Sequence, residues 1–346
     1  MLYIHQNTCI SPQQTFLNAD INLLIESIDS KLKVIEPGYE VIPPTILRRM
    51  GKAVRIGVGA ALPLIQQTSV DGIIIGTANG GVEDCIKFLD QIIQYEEGML
   101  TPGNFVQSTS NAIAAQVGLL TRNKGYNITH VHRGLAFENA LLDAAMITKE
   151  HPEKNYLLGA LDEISASNYN IDYLAGWFKT EKFSSRDLFI TDSNGSLAGE
   201  GAAMFIVNNS KTSAEAYVQD VATLHSENEE AVTARLQYFL DKNLKDGEKV
   251  DLLISGENGD NRLMKFYAAC ESLMGDDTPV ARFKHMSGEF GTASVIAFWL
   301  GCYILKEQVI AAHMIKKNFL KAELRKILIY NNHKGVQHSF ILLLKP

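Results

Sequence analysis

Two segments half a chain apart share one pattern, and this repetition limits the folds open to the chain. Residues 71–81 are DGIIIGTANGG and residues 251–261 are DLLISGENGDN. Each has an Asp, an apolar strand-like run and a glycine at the same spacing, followed by a Gly/Asn-rich turn and a helical pattern. The repetition predicts a duplicated structure with two similar halves.

A second pair of segments strengthens this prediction. Residues 127–148 and 279–305 each contain a short strand, a turn with glycine and a long helix that is apolar on nearly every side. A helix that is hydrophobic all round must be enclosed by protein. We therefore expect two central helices between two sheets. Apolar strands at 199–207 and 339–346 close the halves, and residues 218–249 have the character of a charged, amphipathic connecting helix.

The composition excludes several classes of function. The net charge is −7 and the pI about 5.7, so we expect no nucleic-acid binding and no attachment to anionic membranes. The longest apolar stretch, residues 295–305, is too short to span a bilayer. Cysteines at 9, 85, 270 and 302 have neither disulfide nor metal-ligand spacing. These features predict a cytoplasmic protein without a metal or a cofactor.

Three segments resemble a known family. Residues 101–120, 124–134 and 193–207 are similar to motifs of the β-ketoacyl-acyl carrier protein synthases of the thiolase superfamily. The matching residues are Pro102, Phe105, Ser108 and Asn111 in the first motif, and Gly195, Gly199, Glu200, Gly201 and Ala202 in the third. The resemblance runs from about residue 50 to the end of the chain and is strongest in the first half.

The resemblance implies an α/β, thiolase-like fold with two βαβαβαββ halves in five αβαβα layers. We place the halves at residues 1–215 and 216–346 and expect them to form one integrated unit. Family members are dimers. Their chemistry uses a cysteine at a strand-to-helix turn and two histidines that assist decarboxylation.

None of these three side chains is found at its expected position. A gapless comparison from Gly125 places Gly134 at the cysteine. The surrounding motifs place Glu257 at the first histidine and Glu289 at the second, whereas the family's lysine is kept as Lys284. An ionised glutamate would repel an enolate by about 4 kcal/mol at ~4 Å and an effective dielectric near 20. A final family motif is reduced to YNNHKGVQH at 330–338. We therefore expect no catalytic residues at these positions.

Several other residues are candidates for a pocket or an interface. His130 and His132 are two residues apart on a predicted strand, hence on one face. This spacing suits a metal or catalytic pair, but with no third ligand nearby we favour a structural role at an interface. Arg133 could pair with Glu163 or with a carboxylate of a partner chain, and we favour such salt bridging over substrate binding. The remaining pocket or interface candidates are Phe105, Ser108, Asn111, His285 and Lys334.

The favoured function is that of a ketosynthase-like subunit without condensing activity. It resembles the chain length factors that pair with an active ketosynthase in fatty acid, polyketide or aryl polyene biosynthesis, although polyketide chain length factors typically have glutamine where this chain has Gly134. The expected partners are an active ketosynthase or a second copy of the chain, and an acyl carrier protein. One alternative is an active 3-oxoacyl-acyl carrier protein synthase with a displaced nucleophile, such as Cys270 or Cys302. The other is a homodimer that only binds an acyl chain or a carrier protein.

Overall fold

Short apolar segments bounded by Gly, Asn and Pro form most of the strands, as their composition favours. A computed structural model describes residues 2–245, 247–317 and 323–346. The strands are β1 (Leu2–Ile10), β2 (Lys31–Leu32), β3 (Gly72–Gly76), β4 (Tyr126–His130), β5 (Tyr156–Asp162), β6 (Ala198–Gly199), β7 (Gly201–Asn208), β8 (Ala216–His225), β9 (Leu252–Ser255), β10 (Val280–Arg282), β11 (Ile315–Lys317), β12 (Lys326–His333) and β13 (Gln337–Leu344). The helices are α1 (Pro44–Leu47), α2 (Lys52–Gln67), α3 (Val82–Gln94), α4 (Pro102–Gln107), α5 (Ala112–Thr121), α6 (Ala136–Glu150), α7 (Ala166–Leu174), α8 (Glu229–Asn243), α9 (Met264–Leu273), α10 (Lys284–Ser287) and α11 (Ser294–Glu307).

The strand order shows the duplication directly. The large sheet has the order β11-β10-β9-β12-β13-β8-β1-β7-β5-β3-β4. Outward from the β1–β8 junction, one side is β1-β7-β5-β3-β4 and the other is β8-β13-β12-β9-β10-β11. The first five strands on each side correspond, and β11 is an additional strand at the edge of the second half. The repeated segments at 71–81 and 251–261 contain β3 and β9, which occupy equivalent positions, so the predicted duplication is confirmed.

The central core encloses the two apolar helices. Side chains of α6 and α11 pack with strands of both halves, and the rings of Phe137, Phe205 and Phe298 lie within 4.9–6.4 Å of one another. All of α11 from Ser294 to Cys302 is buried. This burial agrees with the absence of a polar face in its sequence.

Two outer cores cover the other faces of the sheet. Because side chains alternate across a strand, Ile74 of β3 faces the central core while Ile73 and Ile75 face the helices α2 and α5. In the second half, Leu253 and Leu328 face α8 and α9. The resulting succession of helices, strands, central helices, strands and helices confirms the predicted five-layer α/β fold.

The structure corrects the secondary structure expected from the sequence in two places. Residues 218–225 form most of β8 and not the start of a helix, because β8 is hydrogen-bonded to β13 and, at its beginning, to β1. The connecting helix α8 begins only at Glu229, where the Asn228 side chain accepts a hydrogen bond from the Ala231 amide. The N-terminal residues 2–10, for which no strand was predicted, form β1 at the centre of the sheet.

Within the described ranges, no helix combines the length and the apolar character needed to cross a membrane.

Candidate functional site

A cavity of about 470 Å³ lies at the carboxyl ends of β3, β5 and β9. Ligand sites of α/β sheets form at this edge, because the connecting loops and helix N-termini converge there. The lining combines the turns after these strands with α7, the start of the Arg133–Leu135 turn, and the β12–β13 hairpin. The residues discussed below that line it are Asn79, Arg133, Asp162, Glu163, Asn168, Tyr169, Asp172, Trp177, Phe178, His225, Asn258, Glu289, Phe290, His333, Lys334 and Gln337.

The turn at Gly134 carries no nucleophile and has no space for one. A Cβ atom built on Gly134 would lie 2.2 Å from the Cβ and 2.5 Å from the Cγ of His333. The Gly134 amide, one of the free donors at a helix start, donates to Oε1 of Gln337 at 2.9 Å. The β12–β13 hairpin therefore both fills the volume of a side chain at 134 and occupies the donor beside it.

His333 is held as a neutral imidazole. Its burial, together with the charges of Lys334, Lys284 and Arg133, lowers the pKa of His333 to about 3. Its Nδ1 atom is buried and has no hydrogen-bond partner within the described part of the chain. The ring is thus uncharged at neutral pH, and one of its polar atoms is unsatisfied.

Lys284 and Glu289 form a buried ion pair at the cavity floor. Lys284 Nζ donates to Glu289 Oε1 at 2.8 Å, and the lysine side chain is fully buried. The other carboxylate oxygen accepts from Asn258 Nδ2 at 2.9 Å. Glu289 is thereby fixed by two donors, so it offers no proton donor toward the cavity.

Asn258, and not Glu257, faces the cavity from the turn after β9. Glu257 accepts from Arg282 at 2.9 Å and from Lys316 at 2.5 Å, and it does not line the cavity. Glu257, which the sequence comparison places at the first histidine, therefore lies outside the cavity, and the neighbouring Asn258 faces it. Glu257 is turned instead toward Arg282 and Lys316, with which it forms ion pairs.

Asp162 joins the two halves at the cavity edge. Its carboxylate accepts from the Thr77 and Thr292 hydroxyls at 2.9 and 2.8 Å, and from the backbone amides of Ala78, Asn79 and Thr292. Burial raises the pKa of Asp162, while these hydrogen bonds oppose the increase. The residue ties the loop after β3 to the segment before α11.

Glu163 and Arg133 line the same cavity but do not pair with each other. No ion pair or hydrogen bond links the two side chains within the described residues, so the pair expected inside the chain is not formed. Burial, with the nearby charge of Asp84, raises the pKa of Glu163 to about 7. Arg133 has a φ of +48°, in the left-handed region that non-glycine residues seldom adopt.

Lys334 lines the cavity, and its charge is paired with a carboxylate. Its Nζ is 2.5 Å from Asp172 Oδ1 and 5.4 Å from the centre of the Trp177 ring. Arg262 lies against the same ring at 4.5 Å and is itself paired with Asp260. Lys334 is therefore neutralised by Asp172, and it joins the hairpin to α7.

Three of the candidate residues from the first family motif lie outside the cavity. The ring of Phe105 is 60% exposed and contacts Phe88 at 5.2 Å. The Ser108 hydroxyl donates to the Phe105 carbonyl, and Asn111 accepts from the Thr129 hydroxyl at 2.9 Å. None of Phe105, Ser108 and Asn111 lines the cavity, and they belong to the surface beside β4.

The candidate histidines also lie elsewhere. His130 contacts Asp143 at 2.9 Å, whereas His132 lies beyond the end of β4 and contacts Asn139 at 2.9 Å. The prediction that both share one strand face is therefore wrong, because β4 ends at His130. His285 contacts His313 at 2.8 Å, away from the cavity. No group of three His, Cys, Asp or Glu residues in the described ranges could hold a metal ion.

No cysteine lines the cavity, all four lying in the described residues. Cys9, Cys270 and Cys302 are buried, and burial raises the pKa of the first two to about 12 and also raises the pKa of Cys302. Cys270 belongs to the core beneath α9, and Cys302 to the central core. Their thiols are protonated at neutral pH, and the thiolate is the reactive form.

Four residues central to the cavity were not predicted as site residues from the sequence, namely Asp162, Glu163, Trp177 and His333. Asp162 and Glu163 directly follow the buried strand β5, and carboxylates at the end of a parallel strand are a signal that could have been used. Trp177 and His333 have no such local signal. They reach the cavity only through the folding of distant segments.

Comparison with solved structures shows which known fold this chain shares. A β-ketoacyl synthase from Burkholderia phymatum STM815 matches with a TM-score of 0.76 at 14% identity, over 100% of this chain and 99% of that one. The ishigamide ketosynthase/chain length factor matches equally, with a TM-score of 0.76 at 14% identity over 100% and 99%. The ketosynthase ApeO in complex with its chain length factor ApeC from Xenorhabdus doucetiae gives a TM-score of 0.77 at 11% identity, over 100% and 98%. The fold is that of the ketosynthases.

The sequence comparison covers a smaller part of the chain. Residues 29–176 match the family model of the beta-ketoacyl synthase N-terminal domain. A search of curated protein sequences gives no match. Residues 29–176 are therefore similar to the N-terminal domain of beta-ketoacyl synthases, and the chain as a whole has a thiolase-like, ketosynthase fold. The family match begins earlier than residue 50 and stops at 176, so the likeness of the second half rests on the fold.

Proposed function

We propose that this protein is a ketosynthase-like subunit that has lost the condensing reaction and pairs with an active ketosynthase, in the manner of a chain length factor. The observation that carries the proposal is the packing of His333 against Gly134. A cysteine at 134 would require a Cβ atom 2.2 Å from that of His333, so the hairpin excludes the nucleophile. Atoms at such a separation must move apart before the site can accept any side chain.

The rest of the cavity supports the loss of condensing chemistry. The amide of Gly134 is bonded to Gln337, so it is not free to stabilise an oxyanion. Of the two residues that the sequence comparison places at the histidine positions, Glu257 lies outside the cavity and Glu289 is held by Lys284 and Asn258. A synthase with a displaced nucleophile lacks support, because no cysteine lines the cavity.

Pairing with another chain is supported by the edge of the sheet. β4 is the terminal strand on its side, so its outer backbone groups have no strand partner within the described residues. The adjoining elements α3, α4 and α5 expose large apolar side chains, namely Leu89, Ile93, Phe105, Val106 and Leu119, and Val131 follows β4. A monomer seldom exposes such a set of apolar residues in neighbouring elements.

The partner and the substrate are proposed from the related structures. One is described as a ketosynthase in complex with its chain length factor, and another as an acyl carrier protein in complex with its ketosynthase. We propose an active ketosynthase as the partner, an acyl carrier protein as the donor of the chain, and a fatty acid, polyketide or aryl polyene pathway as the setting.

The experiment is acyl transfer followed by intact-protein mass spectrometry. The chain is expressed alone and together with the ketosynthase encoded beside it, and each preparation is incubated with an octanoyl-loaded acyl carrier protein. We expect the two chains to co-purify and the acyl group to be found on the ketosynthase alone.

Two outcomes would contradict the proposal. A stable thioester on Cys9, Cys85, Cys270 or Cys302 of this chain would indicate a displaced nucleophile. Purification as a stable homodimer that does not bind the ketosynthase would favour the stand-alone binding protein instead.

A further inference from the structure

One permanently charged group that lines the cavity has no partner. Of the cations there, Lys334 is paired with Asp172. Arg133 forms no ion pair within the described part of the chain. An unpaired guanidinium at the wall of a cavity offers planar, two-pronged donation, which suits a carboxylate.

The negative groups in the cavity do not neutralise Arg133. Glu289 is paired with Lys284, and Asp162 is satisfied by hydroxyl and amide donors. Burial raises the pKa of Glu163 to about 7, so this carboxyl is a weaker counter-charge for Arg133 than an ordinary glutamate. None of these carboxyl groups pairs with Arg133 among the described residues, so its guanidinium remains available to a ligand.

The backbone of Arg133 is held in an unfavourable conformation. Its φ of +48° is unfavourable for an L-residue relative to the right-handed region, and glycine avoids most of this cost. Strained residues of this kind concentrate at functional positions. The charge of Arg133 also contributes to lowering the pKa of His333, so the guanidinium acts on the cavity interior.

Two further polar atoms in the cavity wall have no partner. Asn168 Nδ2 and His333 Nδ1 are both buried and make no hydrogen bond within the described residues. Neither atom is exposed to the cavity, so the polar group that a ligand could reach there is the guanidinium of Arg133.

The other walls are apolar and aromatic. Tyr169 and Phe178 are stacked with ring centres 5.2 Å apart and an angle of 7°, and Trp177 and Phe290 complete the lining. The volume of about 470 Å³ is within the ~300–1,000 Å³ that is usual for small-molecule sites. The ligand should therefore combine an anionic group with an apolar or aromatic body.

We propose that this cavity is a binding site for a small organic acid with an aromatic or apolar body, whose carboxylate is bound by Arg133 while its body packs against Tyr169, Trp177 and Phe178. The site lies where the condensing site of a ketosynthase would be, but it binds a free acid and needs no thiol. The proposal goes beyond the pairing function and does not depend on it.

The test is isothermal titration calorimetry on the purified full chain. The probes are cinnamate and octanoate, and their neutral amides serve as matched comparisons. We expect one acid to bind per chain and the amide to bind at least about tenfold more weakly, since a charge-assisted hydrogen bond contributes 1.4 kcal/mol or more. Absence of binding by both acids at millimolar concentration, or equal binding of acid and amide, would overturn the proposal.

Arg133→Gly provides the decisive variant. It removes the guanidinium and relieves the strained φ, so we expect affinity to fall at least about tenfold while the thermal midpoint stays or rises. Arg122→Gly is the control, because Arg122 is also an exposed arginine with a positive φ, +55°, and it does not line the cavity. It should leave the affinity unchanged. Equal affinity in the wild type and in Arg133→Gly would refute the role of Arg133.

Arg133→Lys is a second variant in case the glycine variant does not fold. It keeps the charge but loses the planar donor pair, so we expect weakened binding. Undiminished affinity for the acids in Arg133→Lys would show that two-pronged recognition is absent.

Discussion

At the level of single residues, the most important contact joins the two halves of the chain. Gly134 begins the buried helix of the first half, and His333 comes from the hairpin of the second. The ring is neutral, because burial and neighbouring cations lower the pKa of His333 to about 3. A glycine at 134 is thus required by packing and not by backbone conformation, since its φ is not in the left-handed region.

Gly134→Ala should destabilise the protein by about 1–3 kcal/mol, because the added methyl group overlaps His333. The same substitution in a His333→Gly background should cost less, giving a coupling energy of at least about 0.5 kcal/mol. Urea unfolding of the four proteins measures both quantities. Gly103→Ala is the control, since a Cβ at Gly103 meets no atom within 4 Å. Equal costs in both backgrounds would show that His333 is not the obstacle.

Glu163 should make stability depend on pH. Its pKa rises from 4.5 to about 7 on folding, so the folded state holds this proton more tightly than the unfolded state between those values. Stability from this group is therefore complete below about pH 4.5 and is lost as the pH rises through 7. Glu163→Gln should raise the free energy of unfolding by about 2 kcal/mol at about pH 8 and change it little at about pH 4.

Urea unfolding at both pH values provides the measurement for Glu163. Glu227→Gln, at an exposed glutamate, is the control and should show no such difference. A gain of the same size at both pH values would exclude titration of Glu163 as the cause.

At the scale of elements, β4 and β8 show how position in the sheet decides the role of a strand. β8 lies between β13 and β1 and has a strand partner along each edge, although its sequence also suits a helix. β4 pairs only with β3 and leaves its other edge free. The apolar side chains of α3, α4 and α5 lie next to that free edge.

Val106→Asp should weaken pairing with the ketosynthase at least about tenfold, because a carboxylate would be buried in the interface without a partner. Val106 lies on α4 and is 67% exposed, so the chain itself should remain folded. Tyr238→Asp is the control, since Tyr238 is 61% exposed on α8, in the outer layer of the other half. Sedimentation analysis of each variant mixed with the ketosynthase gives the affinity. Unchanged pairing in Val106→Asp would place the interface elsewhere.

At the scale of the whole molecule, the two halves share one core. α6 of the first half and α11 of the second pack with strands from both sides of the sheet. Asp162 adds a polar link between the loop after β3 and the segment before α11. The cavity lies at this junction, so every side chain in it depends on the relative placement of the halves.

The duplicated α/β architecture, the two central helices and the ketosynthase-like motifs could be predicted from the sequence, because these follow from local periodicity and from the order of short segments. The sequence did not show that His333 fills the space beside Gly134, that Asn258 and not Glu257 faces the cavity, or that Arg133 has no ion pair among the described residues. Each of these facts depends on contacts between residues up to 200 positions apart. Hydrophobic periodicity reports which face of an element is buried, but it does not report which distant side chain covers it.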